Sequence, residues 1–436
     1  MIDAFFHRIV ICMRQTAAPR LTSCNTSGPS MSSAQPNPIP LQPSSAWTIF
    51  LVFLRLGLTS FGGPVAHLGY FREEFVNRRR WLDEAGYADL VALCQFLPGP
   101  ASSQVGIAIG LLRGGYRGSL AAWAGFTLPS AIALMLFAFG ISSWGEAVPD
   151  GFLHGLKIIA VAVVAQAVWG MARNLCTDGT RISVALLAAC AVLILHNAWA
   201  QLGVVALAGL AGLMLFRPPA KDSPAPYHGR QGRSIAGIFL LSFFALLLLL
   251  PVLAAASNSQ LPALFDAFYR AGALVFGGGH VVLPLLQAEV VPNGWVSNDI
   301  FLAGYGAAQA VPGPLFTFSA FLGGSIGSGC AGLINAAVCL VAVFTPSFLL
   351  VYGVMPFWDR LRANLRVQAA LGGVNAAVVG LLLAALYDPV WTSAILVPGD
   401  FALALVALVA LMIWKLPPWL VVLAGGFAGW VLAARS

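Results

Sequence analysis

The chain has 436 residues, 59% of them hydrophobic and only 9% charged, with a formal net charge of +7. A soluble domain carries about 25% charged residues, so this composition excludes a soluble protein and specifies an integral membrane protein. The positive residues lie mostly in short loops, which speaks for membrane topology and against a nucleic-acid partner.

Residues 1–45 stand apart. The stretch "TSCNTSGPSMSSAQPNPIPLQPSSA" is rich in Ser, Pro, Asn and Gln and predicts disorder. The seven cysteines show no CxxC spacing and read as buried apolar residues or free thiols, so no metal site is expected. Apolar runs of spanning length then recur to the C-terminus, which excludes a single anchor.

The first run, "AWTIFLVFLRLGLTS", is interrupted by "FGGP" at 61–64, and Arg55 sits just before the interruption. The segment "FLRLGLTSFGG" (53–63) returns as "FYRAGALVFGG" (268–278), and "QFLPGP" (95–100) returns as "QAVPGP" (309–314). Trp81 matches Trp295, and "TLPS" (127–130) is echoed by "FTPS" (344–347). Offsets of 214 to 217 persist along the chain, so it contains an internal duplication. The organisation expected is a first repeat over 46–216, a basic linker with a connecting transmembrane helix over 217–254, and a second repeat over 262–434.

Counting Lys and Arg in short loops orients the copies. "REEFVNRRRW", "RGGYR" and "RNLCTDGTR" are basic and face the cytoplasm, whereas the second-copy loops "VPNGWVSND" and "SIGSG" carry no Lys or Arg. The fold class expected is therefore an all-α polytopic membrane protein with two homologous repeats in inverted orientation. Each repeat has broken-helix hairpins and about four full spans, and a linker helix joins the two. The hairpins are placed at 46–77, 88–113, 262–291 and 301–326. Inverted repeats are a signature of secondary transporters, whose site lies where the repeats meet near the midplane. Within the first inner loop, Glu73 and Glu74 with Arg78, Arg79 and Arg80 read as a solvated amphipathic face.

A broken helix in a bilayer persists only where protein buries it or where it lines a polar cavity. Each half-helix after a break presents free N–H groups and a positive dipole end, which favour anions. Gly and Pro also occur in membrane helices as kinks and packing sites, but matched breaks in both copies favour the site. The candidate substrate contacts are Arg55, Phe61, Gly62, Gly63, Gln95, Pro98, Gly99, Ser102 and Ser103 in the first copy. Their counterparts are Arg270, Phe276, Gly277, Gly278, Gln309, Pro312, Gly313 and Thr317. An arginine in an apolar segment costs about 2.5–3.5 kcal/mol on insertion. Asp266, one turn earlier, is a candidate partner for Arg270, while Arg55 has only apolar neighbours at the matching position. The glutamines serve either a substrate or the broken backbone, and the hydroxyls serve either an oxyanion or an N-cap. Gly110 reads as ordinary helix surface.

The order F-R-x-G-x-x-x-FGGP, a Trp-containing loop, Q-x-x-PGP, and the whole set repeated with FGGG-H-V-V-L-P resembles the chromate ion transporter family. The likeness covers about residues 46–390 and both halves, so it resembles the long, two-domain form. It implies export of chromate, with sulfate as a related oxyanion, by a multi-pass protein of the bacterial inner membrane. The expected partners are that oxyanion and membrane lipid; a homodimer is an allowed assembly. Where the family's motif carries tyrosine, this chain has His280. No cofactor and no catalysis are expected, because the chain shows no GxxxxGK[ST] loop, no HExxH and no clustered acid pair at membrane depth. A passive anion channel is the rival reading, since half-helix dipoles also build filters.

Overall fold

The computed structural model describes residues 44–144, 149–195, 198–217, 233–257 and 259–433. The stretch read as disordered, as far as residue 43, and the linker from 218 to 232 lie outside the described residues. At the start of the described chain, the Ser45 hydroxyl accepts from Thr48 N–H and caps the first helix.

The first repeat comprises α1 (Ala46–Thr59), α2 (Gly63–Arg72), α3 (Glu84–Phe96), α4 (Ala101–Trp144), α5 (Asp150–Leu175), α6 (Gly179–Leu195) and α7 (Ala198–Leu215). A connecting helix, α8 (Arg233–Ala256), leads to the second repeat. That repeat holds α9 (Gln260–Leu274), α10 (Val282–Val290), α11 (Asn298–Ala308), α12 (Phe318–Ser325), α13 (Gly329–Val354), α14 (Trp358–Ala363), α15 (Leu365–Ala385), α16 (Pro398–Met412) and α17 (Pro418–Ala433). Short 3-10 turns, Gly279–Val281 and Leu315–Thr317, lead into α10 and α12. The breaks fall at FGG and PGP in both copies. A further kink inside α4, at Gly114 and Gly115, separates the end of the second hairpin from the long span that follows.

Among the described residues, five helices are long and apolar enough to cross a membrane, and six shorter ones are apolar. The chain is an all-α, multi-pass membrane protein built from two repeats. The connecting span Ser234–Ala256 is the least covered, with only 11% of its apolar window buried; most of its surface is left to lipid.

The repeats interlock. In the first, α1 packs along α4; in the second, α9 packs along α13 in the same way. Glycine makes both crossings close: a Cβ on Gly57 would stand 2.7 Å from the Gly125 carbonyl, and one on Gly272 would strike the backbone carbonyl of Val343. The later helices exchange partners between repeats. Helix α15 packs on α6 and α7, whereas α5 packs on α16 and α17. The core of each half is therefore partly supplied by the other.

Two readings are corrected. Gly110 is not on an open helix surface. It is buried, and a Cβ there would stand 2.8 Å from the Gly118 carbonyl carbon, because α4 folds back on itself at its kink. The acidic run of the first loop is not wholly solvated either. Helix α2 continues as a π turn over Glu73–Arg78, which turns Glu74 inward to pair with Arg78 at 2.7 Å and Arg79 at 2.6 Å. Beside it, the exposed Arg72 guanidinium hydrogen-bonds Glu84 at 2.7 Å and holds its carboxyl below the usual range.

Candidate functional site

Each PGP turn is hydrogen-bonded to the FGG turn of the opposite repeat. Gly99 N–H donates to the Val275 carbonyl at 2.6 Å, and Gly313 N–H donates to the Ser60 carbonyl at 3.0 Å. Ser60 and Val275 are the residues immediately before Phe61 and Phe276, so the two bonds are mates in the duplication. The serines of TLPS and FTPS cross over in the same sense. A Cβ on Gly313 would stand 2.8 Å from Ser130 Oγ, and one on Gly99 would stand 2.9 Å from Ser347 Oγ. The two FGG turns also meet, since a Cβ on Gly279 would lie 3.2 Å from Pro64 Cγ. All four breaks thus form one contiguous cluster.

A cleft opens on this cluster. Gly62, Gly63, Pro64, His280, Gln309, Val311, Gly313 and Leu315 line it, with about 330 Å³ of empty space including its open mouth. Three of the four half-helix starts reach it: α2 through Gly63 and Pro64, the turn into α10 through His280, and the turn into α12 through Leu315. The fourth, at Ala101, lies outside the lining. Gly62 and Gly63 have φ of +102° and +76°; glycine reaches this left-handed region without the penalty other residues meet. That geometry lets α2 restart directly at the cleft, with no side chain capping its free N–H groups.

Several buried polar atoms around the breaks lack hydrogen-bond partners. Gln309 lines the cleft, and its Nε2 is buried without a hydrogen-bond partner. The hydroxyls of Ser60, Ser103 and Ser347 are likewise buried and unpartnered. Buried polar groups are nearly always satisfied, so Gln309 and these serines, with the equally unpartnered Gln104 Oε1 beside Gly99, leave hydrogen-bonding capacity free around the half-helix N-termini. No carboxylate lines the cleft. Among the described residues, no group of three or more His, Cys, Asp or Glu is placed to hold a metal ion.

The other predicted residues distribute around this centre. Ser102 is buried at the start of α4. Pro98 is held from behind, its carbonyl accepting from Gln104 Nε2 at 2.6 Å. Thr317 Oγ1 donates to the Pro314 carbonyl at 2.7 Å. Phe61 and Phe276 are half-buried beside their glycines. Gly277 faces Met171 and Leu175 of α5 and Asn375 of α15, and Gly278 faces Met171. Pro312 is half-buried in its turn, and Gln95 is exposed on α3. Arg55 is exposed on α1, whereas Arg270 is bound by Asp266 at 2.8 Å and Glu289 at 2.6 Å; neither arginine lines the cleft.

Sequence reasoning passed over several residues that stand close to the breaks. His67 is buried behind FGGP, where Nε2 donates to the Ser60 carbonyl at 3.2 Å and Nδ1 accepts from the Ser102 hydroxyl at 3.4 Å. The Ser60 carbonyl therefore receives both His67 and Gly313. His280 Nδ1 lies 2.8 Å from the Tyr305 hydroxyl, which is fully buried. His67 has no mate in the other repeat and gave no signal, whereas His280 stood out only as the departure from the family's tyrosine. Ser130 and Ser347 did give one, in the TLPS/FTPS echo.

Comparison with known proteins identifies the family. The sequence profile of the family described as "Chromate transporter" matches residues 47–213 and 262–430, one match to each repeat. The "Chromate transport protein" of Pseudomonas aeruginosa is 30% identical over 411 residues, covering 89% of this chain and 93% of that protein. The "Probable chromate transport protein" of Synechococcus elongatus is 28% identical over 398 residues, or 86% and 93% of the two chains. The "Chromate transport protein" of Cupriavidus metallidurans is 26% identical over 376 residues, or 84% and 88%. No solved structure matches the chain. With both repeats matched, and relatives aligned nearly end to end, the chain belongs to the chromate transporter family.

Proposed function

We propose that this protein exports chromate from the bacterial cytoplasm as a secondary carrier, with sulfate as a competing oxyanion. The anion is held at the cleft between the interlocked breaks and is exposed to each side in turn. The observation that carries this reading is Gln309, a residue of the cleft lining whose buried amide nitrogen has no acceptor, among half-helix starts and without a carboxylate. Gly62, Gly63 and Gly313 shape the lining, and Ser60, Ser103 and Ser347 supply further donors nearby. Arg55 and Arg270 are not needed by this reading. A dianion leaving a negative interior gains about 4.6 kcal/mol at 100 mV, twice the single-charge value, so export needs no nucleotide.

The test is chromate uptake into inverted vesicles with the potential clamped and sulfate and molybdate as competitors. A hydrogen bond to a charged group is worth about 1.5–3 kcal/mol, so Gln309→Leu should weaken apparent chromate affinity by about 10- to 100-fold. Unchanged affinity in a folded variant would move the site elsewhere. Saturable, slow flux against a gradient distinguishes the carrier from a channel.

A further inference from the structure

A second ionisable centre lies outside the cleft. On α9, Arg270 is gripped by two carboxylates: Asp266 Oδ2 accepts from Nε at 3.0 Å and Nη2 at 2.8 Å, and Glu289 accepts from Nη1 at 2.6 Å and Nη2 at 3.0 Å. Asp266 is only 4% exposed. Its other oxygen, Oδ1, is buried and has no hydrogen-bond partner. Arg270 and Glu289 line a small cleft with Gln201 of α7, whose Oε1 is a second buried acceptor without a donor.

Among the described residues, Arg270 is the one cation paired with either carboxylate. On the neighbouring helices, α8 between residues 234 and 256 and α7 carry no acid or base. Helix α13 offers Cys330, Cys339 and Tyr352, and the basic residue of α15, Arg366, is exposed at its start. On α9 itself, Tyr269 donates to the Phe243 carbonyl, and His280, on the turn before α10, is engaged with Tyr305. Two carboxylates therefore share one guanidinium, and two acceptors in the same neighbourhood lack a donor. Ionisable groups within a membrane protein mark ion or proton pathways by default.

We propose that Asp266 and Glu289, bridged by Arg270, form a proton-binding site that couples proton entry to anion export. One proton on the pair neutralises its excess charge and supplies the donor that the orphaned acceptors lack. Loop charges place the start of α9, the end of α10 and the start of α7 toward the outer face, so the site is loaded from outside. It lies apart from the anion cleft, and no covalent step is involved. The coupling rests on the transport reading above; the proton binding does not.

Two measurements test it on the full-length protein. In an infrared pH titration without substrate, the wild type should show a protonated-carboxyl band that is absent from both Asp266→Asn and Glu289→Gln. A band retained in both variants would overturn the site, whatever the protein transports. In proteoliposomes at zero potential, each pH unit across the membrane should change the chromate accumulation ratio by about tenfold per coupled proton. Each neutralised variant mimics the protonated state, so it should lose that dependence while keeping chromate–chromate counterflow. Glu289→Asp, which preserves the carboxyl, should retain both and guards against a mere folding defect. Counterflow lost together with the pH response, in variants that remain folded, would place the triad in the anion path and overturn the proposal. A sodium gradient replacing the pH gradient at fixed pH would overturn the assignment to a proton.

Discussion

The Gly313 amide donates to the Ser60 carbonyl at 3.0 Å, tying the PGP turn of the second repeat to the FGG turn of the first. The same carbonyl accepts from His67, so one oxygen joins both repeats to a buried imidazole. Gly313 has a φ of +101°, and a Cβ there would also stand 2.8 Å from Ser130 Oγ. Gly313→Ala should therefore abolish transport and lower thermal stability, with left-handed strain of about 1–2 kcal/mol from the backbone alone. Adding Ser130→Ala should recover part of the stability by removing the clash. No recovery would show that the serine does not set the fit.

Glycines of the two kinds should separate cleanly. Gly63 is in open space at a φ of +76°, whereas a Cβ on Gly57 would stand 2.7 and 2.8 Å from the Gly125 and Phe126 carbonyl oxygens. Gly57→Ala should reduce the folded protein in the membrane, since overpacking costs about 1–3 kcal/mol. Gly63→Ala meets no clash, only left-handed strain of about 1–2 kcal/mol, so it should lower the folded amount less than Gly57→Ala while cutting transport. Gly203 and Gly237, which have no neighbour within 4 Å of an added Cβ, are the matched controls. Gly63→Ala transporting as well as the controls would make the FGG break purely architectural.

Orientation is tested through two exposed asparagines in mated loops, Asn77 and Asn293. On a background without native cysteines, Asn77→Cys should react with an impermeant thiol reagent only from the cytoplasm, and Asn293→Cys only from outside. Labelling of both from one side would remove the inverted arrangement.

A charge pair clasps the repeats at a distance from the cleft. Asp89 on α3 accepts from Arg362 at 2.5 Å and from Trp358 Nε1 at 3.0 Å, both on α14. Breaking a well-buried pair costs about 3–5 kcal/mol, so Asp89→Ala should lower the melting temperature markedly in detergent. Exchanging the charges, with Asp89→Arg and Arg362→Asp together, should restore part of it. No rescue would show that the clasp depends on Trp358 or Asp359 rather than on the pair.

Much of this architecture was legible because duplication writes it twice. The breaks at Gly62, Gly99, Gly277 and Gly313 fall where the repeated motifs put them, since glycine and proline act on the backbone locally. Asp266 was readable as a partner of Arg270 because one helical turn separates them. Glu289 was not, because it arrives from another helix. Gly110 was misread for the same reason: only the fold-back of α4 shows what it packs against. The placement of Gln309 in the cleft, with Gln95 exposed, also lay beyond the motif, since matched letters do not report which side of a pseudo-symmetric cluster is open.

The exchanged bonds, Gly99 to Val275 and Gly313 to Ser60, also constrain how the two halves can evolve. A substitution that reshapes one FGG turn alters the docking surface of the opposite PGP turn, encoded some 175 residues earlier or some 250 residues later. Neither copy is free to drift alone. Specialisation of one half, as with the histidine at 280, must be accommodated by the sequence of the other, and a gene cut at the linker would yield two products that fold only as each other's complement.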